Sequence, residues 1–214
     1  MIYFVPKNKI HKMIFISIEG CEGSGKTTQA RILQQKLINS GLDVVVTKEP
    51  GGSKLGNIMR EILLSNEISD SMTEFLLLSA ARRDHILEIK KFLSQGKIVI
   101  TDRFSDSSIA YQGYAKGLDI GKIELITEIV TEGFMPNITI LLDVSLDVMQ
   151  ERIRGSSDHK TFYDMKGIDF HKKVKEGFLS IAAKYPERVV VVNGDGDLED
   201  VSNQIWSIVS NIIK

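Results

Sequence analysis

Residues Gly20-Cys21-Glu22-Gly23-Ser24-Gly25-Lys26-Thr27-Thr28 match G-x-x-x-x-G-K-[ST], and the apolar run Met13-Ile14-Phe15-Ile16-Ser17-Ile18 leads directly into them. A strand that enters a glycine-rich turn and leaves as a helix has few folds open to it, because the turn's backbone N–H groups converge into an anion cradle at the helix N-terminus. The stretch that follows sets Ala30, Leu33, Leu37 and Ile38 at helical spacing and stops at Gly41, as an amphipathic helix with a glycine stop does. Lys26 is placed to reach the β- and γ-phosphates of a nucleoside triphosphate, and Thr27 to offer its hydroxyl to Mg²⁺.

The rest of the chain repeats the alternation. Apolar, β-branched runs recur at Ile14 to Ile18, Val44 to Thr47, Ile98 to Thr101, Ile138 to Leu142 and Val189 to Val192. Helical patterns fill the intervals at Lys26 to Ser40, Ser53 to Ser65, Met72 to Ser94, Asp119 to Glu132, Leu146 to Ile153, Phe170 to Lys184 and Leu198 to Ile213. Strands that alternate with helices form parallel sheets covered on both faces, so the expectation is an α/β P-loop NTPase fold with five parallel strands. The polar, aperiodic segment at 154–168 reads as a short mobile lid.

No linker or repeat divides the chain, which reads as one domain over 13–214 preceded by an extension at 1–12, with Met13 as an alternative start. At 214 residues and 43% hydrophobic content it can bury a core unaided. Its 27 basic and 28 acidic residues give a net charge of −1, so no global field gathers nucleic acid. Cys21 is the single cysteine, which excludes an internal disulfide framework and points to the cytoplasm. No apolar run approaches a membrane span, and residues 1–12 lack the apolar core of a signal peptide, so no membrane partner is expected.

Ligands of open parallel sheets bind beyond the carboxyl ends of the strands. Charged residues stand at three such ends: Lys48-Glu49-Pro50-Gly51-Gly52, Asp102-Arg103-Phe104, and Asp143. A carboxylate there can hold Mg²⁺ or its waters and an arginine can fork onto a phosphate. An ion pair capping the strand would read the same way, and Asp143 reads equally as an N-cap. Arg60, Arg82 and Arg83 taken singly are ordinary surface charges, yet with Lys26 and Arg103 they outnumber the needs of one triphosphate. Arg152 and Arg154, two positions apart, cannot share a helix face, so one can turn inward over a transferring phosphoryl group. The stretch Ser105 to Gly113, with Ser107, Ser108, Tyr111 and Gln112, offers hydroxyls, an amide and a ring suited to a sugar and a base edge.

With these residues in place the chain resembles thymidylate kinases over nearly all of Met13 to Lys214. The resemblance rests on the glycine-rich loop with Glu22 inside it, on Glu49-Pro50-Gly51-Gly52, on Ser79-Ala80-Ala81-Arg82, and on Asp102-Arg103-Phe104 followed by Ser107 and Ala110-Tyr111-Gln112-Gly113. It implies transfer of the ATP γ-phosphoryl group to dTMP in dTTP biosynthesis, with ATP held by Gly20 to Thr28. Arg60 and Arg103 would grip the dTMP phosphate, and Glu49 with Pro50 would border it. Arg82 would address the thymine edge, while Ser107, Ser108 and Gln112 line the base pocket. Tyr111 would lie beneath the deoxyribose, and Glu22 near the sugar or the lid. Thr27, Asp102 and Glu49 would organise Mg²⁺, and Lys26, Arg103, Arg154 and Glu22 form the catalytic set. A homodimer built on helices is implied as well.

The chain departs from the family pattern in three places. Leu78 stands where many relatives stack a phenylalanine on thymine, leaving Phe75 or Phe104 as substitutes. Lys48 replaces an arginine, and the lid sequence Gly155 to Lys160 lacks one, which leaves Arg154 or Lys160 as its cation. Cys21 has two readings: a thiol acidified by Lys26 and nearby N–H dipoles, or a small residue that merely fits the loop. Two other functions stay open at this point, a kinase for another nucleoside monophosphate or nucleoside and a nucleotide-binding switch.

Overall fold

The computed structural model describes residues 13–65, 67–155, 163 and 165–213. Along them run β1 (Phe15–Gly20), α1 (Lys26–Asn39), β2 (Val44–Lys48), α2 (Lys54–Leu64), α3 (Ser71–Ser94), β3 (Ile98–Asp102) and α4 (Ser105–Ser108). A π-helical segment (Ile109–Ala115) follows, then α5 (Ile120–Thr131), β4 (Ile138–Asp143), α6 (Leu146–Gly155), α7 (Ile168–Lys184), β5 (Val189–Asn193) and α8 (Leu198–Ile212). The strands form one sheet in the order β2-β3-β1-β4-β5, every neighbouring pair parallel. Among the described residues no helix is long and apolar enough to cross a membrane. The extension at 1–12 and most of the lid segment, 156–162 and 164, lie outside the described residues.

Alternation along β1 decides which face of the sheet carries chemistry. Ile14, Ile16 and Ile18 pack with Ala30, Leu33 and Leu37 of α1 and with Val201, Ile205 and Val209 of α8. Successive side chains of a strand point to opposite faces, so Phe15, Ser17 and Glu19 look the other way, towards α3, the π-helical segment and α7. There Phe15 packs with Ile86, Ile89 and Leu93 of α3, but Ser17 and Glu19 continue as a polar seam. The register sets Ser17 opposite both Thr101 and Thr139, and all four side chains are buried. The purely apolar layer covers the α1/α8 face, and the other face is left polar beneath the strand ends.

Each strand continues at least one residue beyond its apolar run, because the ladder does not depend on side-chain polarity. Glu49 N donates to Asp102 O at 3.0 Å and Arg103 N to Ile18 O at 3.0 Å, which makes Lys48, Asp102 and Asp143 the last residues of β2, β3 and β4. Ser53, Asp70, Asp119 and Asp197 cap α2, α3, α5 and α8 from outside, each accepting a backbone N–H three residues on; such caps satisfy otherwise orphaned donors. The helix α4 and the π-helical segment are additions to the sequence reading. Their residues show no 3.6-residue apolar period, since Ile109 to Gly113 are buried all round. The wider turn is closed by Lys116 N donating to Tyr111 O at 3.0 Å, and such turns gather at functional sites.

Candidate active site

The turn after β1 is shaped by close approach. A Cβ on Gly20, at φ +147°, would stand 2.7 Å from Leu142 O and from Ser24 Oγ, so only glycine lets the loop pass between β1 and β4. Gly23, Ser24 and Gly25 carry the turn into α1, where Thr28 is exposed on the first turn. The Lys26 ammonium curls back over the loop, donating to Cys21 O at 2.7 Å and Ser24 Oγ at 3.4 Å. Burial, and then the charge of Arg103, lower its pKa from the usual lysine value, and an arriving phosphate would offset both. Thr27 Oγ1 donates to Asp102 Oδ2 at 2.5 Å, so a hydroxyl and a carboxylate converge at the helix N-terminus. That hard oxygen pair fits Mg²⁺, which keeps several waters and takes few protein ligands.

Arg103 bridges this loop to the π-helical segment. Its backbone is left-handed, at φ +74°, with its carbonyl held by Thr101 Oγ1 at 2.8 Å; a non-glycine residue in that region is strained and clusters at functional sites. Nη1 donates to Gly20 O at 3.0 Å and Ser107 Oγ at 3.2 Å, while Nη2 donates to Glu22 Oε1 and Tyr111 Oη, both at 3.0 Å. The guanidinium carbon lies 4.9 Å from the Tyr111 ring centre. Tyr111 Oη donates in turn to Glu22 Oε2 at 2.6 Å, and burial pushes that phenol's pKa well above its ordinary value, keeping it a donor. Glu22, Arg103 and Tyr111 thus form one closed unit, with His171 Nδ1 of α7 3.7 Å from Glu22 Oε2.

A second buried unit lies between β2, α3 and α4. Arg82 Nε donates to Glu49 Oε2 at 2.7 Å, Nη1 to Ser108 Oγ at 3.1 Å and Nη2 to Phe104 O at 3.2 Å. Glu49 Oε1 meets His85 Nδ1 at 3.0 Å. Glu49, expected from the sequence to organise Mg²⁺, has its two oxygens occupied in this structure by Arg82 and His85 of α3. Arg60 of α2 donates to Pro50 O at 3.0 Å, which ties that helix to the turn after β2. A groove of about 730 Å³ runs beside them, bordered by Thr27, Lys48, Gly52, Asn57 and Asp102.

Gln112 leads to a third group. Its Nε2 donates to Glu74 Oε1 at 2.6 Å and contacts Tyr163 Oη at 3.3 Å. Tyr163 Oη donates to the same Glu74 oxygen at 2.6 Å, and Lys116 pairs with the other. Leu78 is half-buried on α3. Neither aromatic substitute for it is available: Phe75 is fully buried in the cluster of α7 and the π-helical segment, and Phe104 packs edge-on against Phe15 at 5.1 Å.

Several other expectations resolve here. Cys21 is not an acidified thiol: burial, with the Glu22 charge second, pushes its pKa up to about 11, so it is a small residue that fits the loop. Arg152 turns inward and donates to Gly194 O at 3.0 Å, while Arg154 is exposed and, among the described residues, donates to Gln150 O of its own helix. Lys160 lies outside the described residues. Asp143 is paired with Lys175. The sequence reading passed over Glu19, whose oxygens accept from Phe104 N at 2.6 Å and Ser107 Oγ at 2.7 Å. It also passed over Arg188, which forks onto Asp106 at 2.7 and 2.9 Å. The available signal was a charged residue inside an apolar strand, at a position two along from Ser17.

A parallel sheet, a phosphate cradle at the turn after β1 and Arg103 reaching from the end of β3 onto that cradle are those of a P-loop nucleotide-binding enzyme. A family model described as thymidylate kinase matches residues 18–205. The thymidylate kinase of Syntrophotalea carbinolica is 40% identical over 93% of this chain and 96% of that protein. That of Geobacillus thermodenitrificans is 40% identical over 92% and 90%. The crystal structure of thymidylate kinase from Ehrlichia chaffeensis superposes with a TM-score of 0.74 at 36% identity, covering 92% of this chain and 98% of that one. The chain belongs to the thymidylate kinase family.

Proposed function

We propose that this enzyme transfers the γ-phosphoryl group of ATP to the phosphate of dTMP, giving dTDP and ADP and supplying dTTP for DNA synthesis. The observation that carries the reading is Arg103, one guanidinium tied at once to Gly20 of the phosphate loop and to Ser107 of α4 and Tyr111 of the π-helical segment. A phosphate arriving on each side meets the same cation. Phosphoryl transfer needs positioning and charge neutralisation more than covalent help, and a phosphate monoester dianion is itself the nucleophile.

The residues divide the work as follows. The N–H groups of Gly20 to Thr28 and the Lys26 ammonium hold the ATP phosphates. Thr27 and Asp102 would hold Mg²⁺, which would supply charge neutralisation for the ATP phosphates. Arg103 and Arg60 take the acceptor phosphate, which competes with Glu22 for the Arg103 fork. Tyr111 packs beneath the deoxyribose, and Arg82, Ser108 and Gln112 face the base with Leu78 on its flank. Arg154, exposed at the lid's edge, closes over the transferring group.

We place two copies together through α3 and α5. Leu76 and Leu87 of α3 and Leu125 and Ile129 of α5 are exposed, and Arg83 holds the two helices side by side through Val130 O at 3.0 Å. Large apolar side chains exposed on two helices that pack together suit an interface. With its one cysteine buried, the enzyme suits the cytoplasm. A coupled ADP-release assay with ATP, Mg²⁺ and, in turn, dTMP, dUMP, dCMP, UMP, dGMP and thymidine tests the activity. Release that strongly prefers dTMP is the expected result, and release indifferent to the acceptor refutes it.

A further inference from the structure

The turn after β2 is folded around an imidazole that the reading above leaves unused. His85 stands one helical turn beyond Arg82 on α3 and is 1% exposed. Its Nδ1 lies 3.0 Å from Glu49 Oε1 and its Nε2 2.7 Å from Thr47 Oγ1. A carboxylate only accepts, so Nδ1 carries a hydrogen towards Glu49, and Nε2 shares the second hydrogen bond with the threonine hydroxyl. Gly52 closes the site from above: a Cβ there would stand 2.3 Å from His85 Nε2 and 2.5 Å from Thr47 Oγ1. The ring is held at both nitrogens and over its edge, and has no second orientation.

This fixity passes along the chain of contacts. Glu49 has one oxygen on His85 and the other on Arg82 Nε, so the carboxylate plane is set by two donors of the same helix. Arg82 carries five N–H donors; the three tied to Glu49, Ser108 and Phe104 fix the plane in which the other two lie. We propose that His85 is a positioning residue for acceptor-base selectivity: through Glu49 it aims the Arg82 guanidinium so that the pocket takes a pyrimidine with an oxygen at position 4 and refuses one with an amine. This rests on the assignment of Arg82 to the base edge. The recognised class is a 4-oxo pyrimidine monophosphate. An amine at that position sets N–H against N–H, and a site that hydrogen-bonds its substrate rejects such a mismatch by roughly 10⁴ or more. A guanidinium free to rock about the Glu49 contact meets either base half-way and loses most of that factor.

The test compares two substitutions that keep different halves of the imidazole. His85→Asn places an amide nitrogen near the position of Nδ1 and retains the bond to Glu49; His85→Gln places it near Nε2 and retains only Thr47. The readout is the ratio of kcat/KM for dTMP to that for dCMP, beside the ATP KM and the melting temperature. We expect His85→Asn to stay within about 3-fold of the unsubstituted enzyme, and His85→Gln to lower the ratio about 10-fold or more with a raised dTMP KM and an unaltered ATP KM. If His85→Gln does not fold, Thr47→Val, which leaves the ring and removes the hydroxyl that steadies it, is expected to lower the ratio about 3-fold. An unchanged ratio in His85→Gln or its stand-in, or an equal fall in the Asn and Gln variants, overturns the proposal. Arg82→Lys separates the two levels. If it loses selectivity while His85→Gln keeps it, the proposal alone fails; if Arg82→Lys keeps full selectivity, the assignment of Arg82 to the base fails and takes the proposal with it.

Discussion

Replacing Gly177 by alanine sets two effects of opposite sign against each other. Gly177 lies mid-helix in α7, where alanine is favoured over glycine by about 1 kcal/mol. The added Cβ, however, would stand 2.9 Å from Ala110 Cα and 3.0 Å from both Cβ and Cδ2 of Tyr114. The first of these atoms is backbone of the π-helical segment, buried and unable to swing aside. Overpacking costs about 1–3 kcal/mol, and contact under 3.0 Å with backbone belongs to the upper part of that range, about 2–3 kcal/mol, so the net effect is a loss of about 1–2 kcal/mol, the steric cost outweighing propensity. For a chain of this length that lowers the melting temperature by roughly 2–8 °C. Relief comes from displacing the segment that carries Tyr111 and Gln112, so the dTMP KM should rise while the ATP KM holds. Thermal denaturation followed by circular dichroism, with kinetics on the same samples, reads both. Gly121→Ala in α5, whose Cβ would meet only Asp119 Oδ1 at 3.3 Å, is the control and should be neutral or slightly stabilising. An unchanged or raised melting temperature for Gly177→Ala refutes the argument that close approach of α7 requires glycine.

Other outcomes follow from the same geometry. Burial, reinforced by the Asp106 charge, pushes the Glu19 carboxyl from 4.5 up to about 7. The folded protein therefore keeps a proton that the unfolded chain has lost, and this contribution to stability is full below pH 4.5 and gone above pH 7. Its size is on the order of 3 kcal/mol, and urea denaturation across that window should show the slope disappear in Glu19→Gln; parallel curves for the two proteins would dismiss it. Cys21, with its pKa near 11, should react with iodoacetamide at pH 8 far more slowly than a free thiol, whether or not ATP is present; rapid, ATP-protected alkylation would restore the acidified reading. Lys26→Ala and Arg103→Ala should each lose turnover with an unaltered circular dichroism spectrum, and near-normal rates in either remove that residue from the mechanism. Arg154→Ala should lower kcat at least 10-fold with little change in the dTMP KM; the opposite pattern would make it a binding residue.

The sheet was legible because its signals are local. Apolar β-branched runs such as Ile138 to Leu142 and capping residues such as Ser53 and Asp119 act within a few positions of where they stand, and the elements began and ended within a few residues of them. Strand order is a different kind of information, since nothing inside Val44 to Lys48 says that it pairs with β3 rather than with β1. Ser105 to Ala115 was read only as a cluster of polar chemistry. Ile109 to Gly113 within it are buried in succession, so no period survives in the sequence to announce a helix. Glu49 shows the same limit within the site. A carboxylate at a strand end has the right composition for a metal ligand, and only the arrival of Arg82 and His85 from α3, more than thirty positions on, shows both its oxygens committed. Of the two readings of Cys21, the acidified thiol falls away for a related reason: the cations beside it were visible in the sequence, but the burial that outweighs them was not.

The position of β1 in the middle of the sheet has a consequence for how the protein is made. Ile16 finds one ladder partner at Ile100 and the other at Ile138, so the first-made of the five described strands is among the last to be enclosed on both edges. At about 5–20 residues per second, the roughly 120 residues between them take about 6–25 s to appear. Through that interval a run of isoleucine and phenylalanine with open backbone donors and acceptors is an edge available to any neighbouring nascent chain. Successful synthesis depends on shielding that strand until β4 emerges.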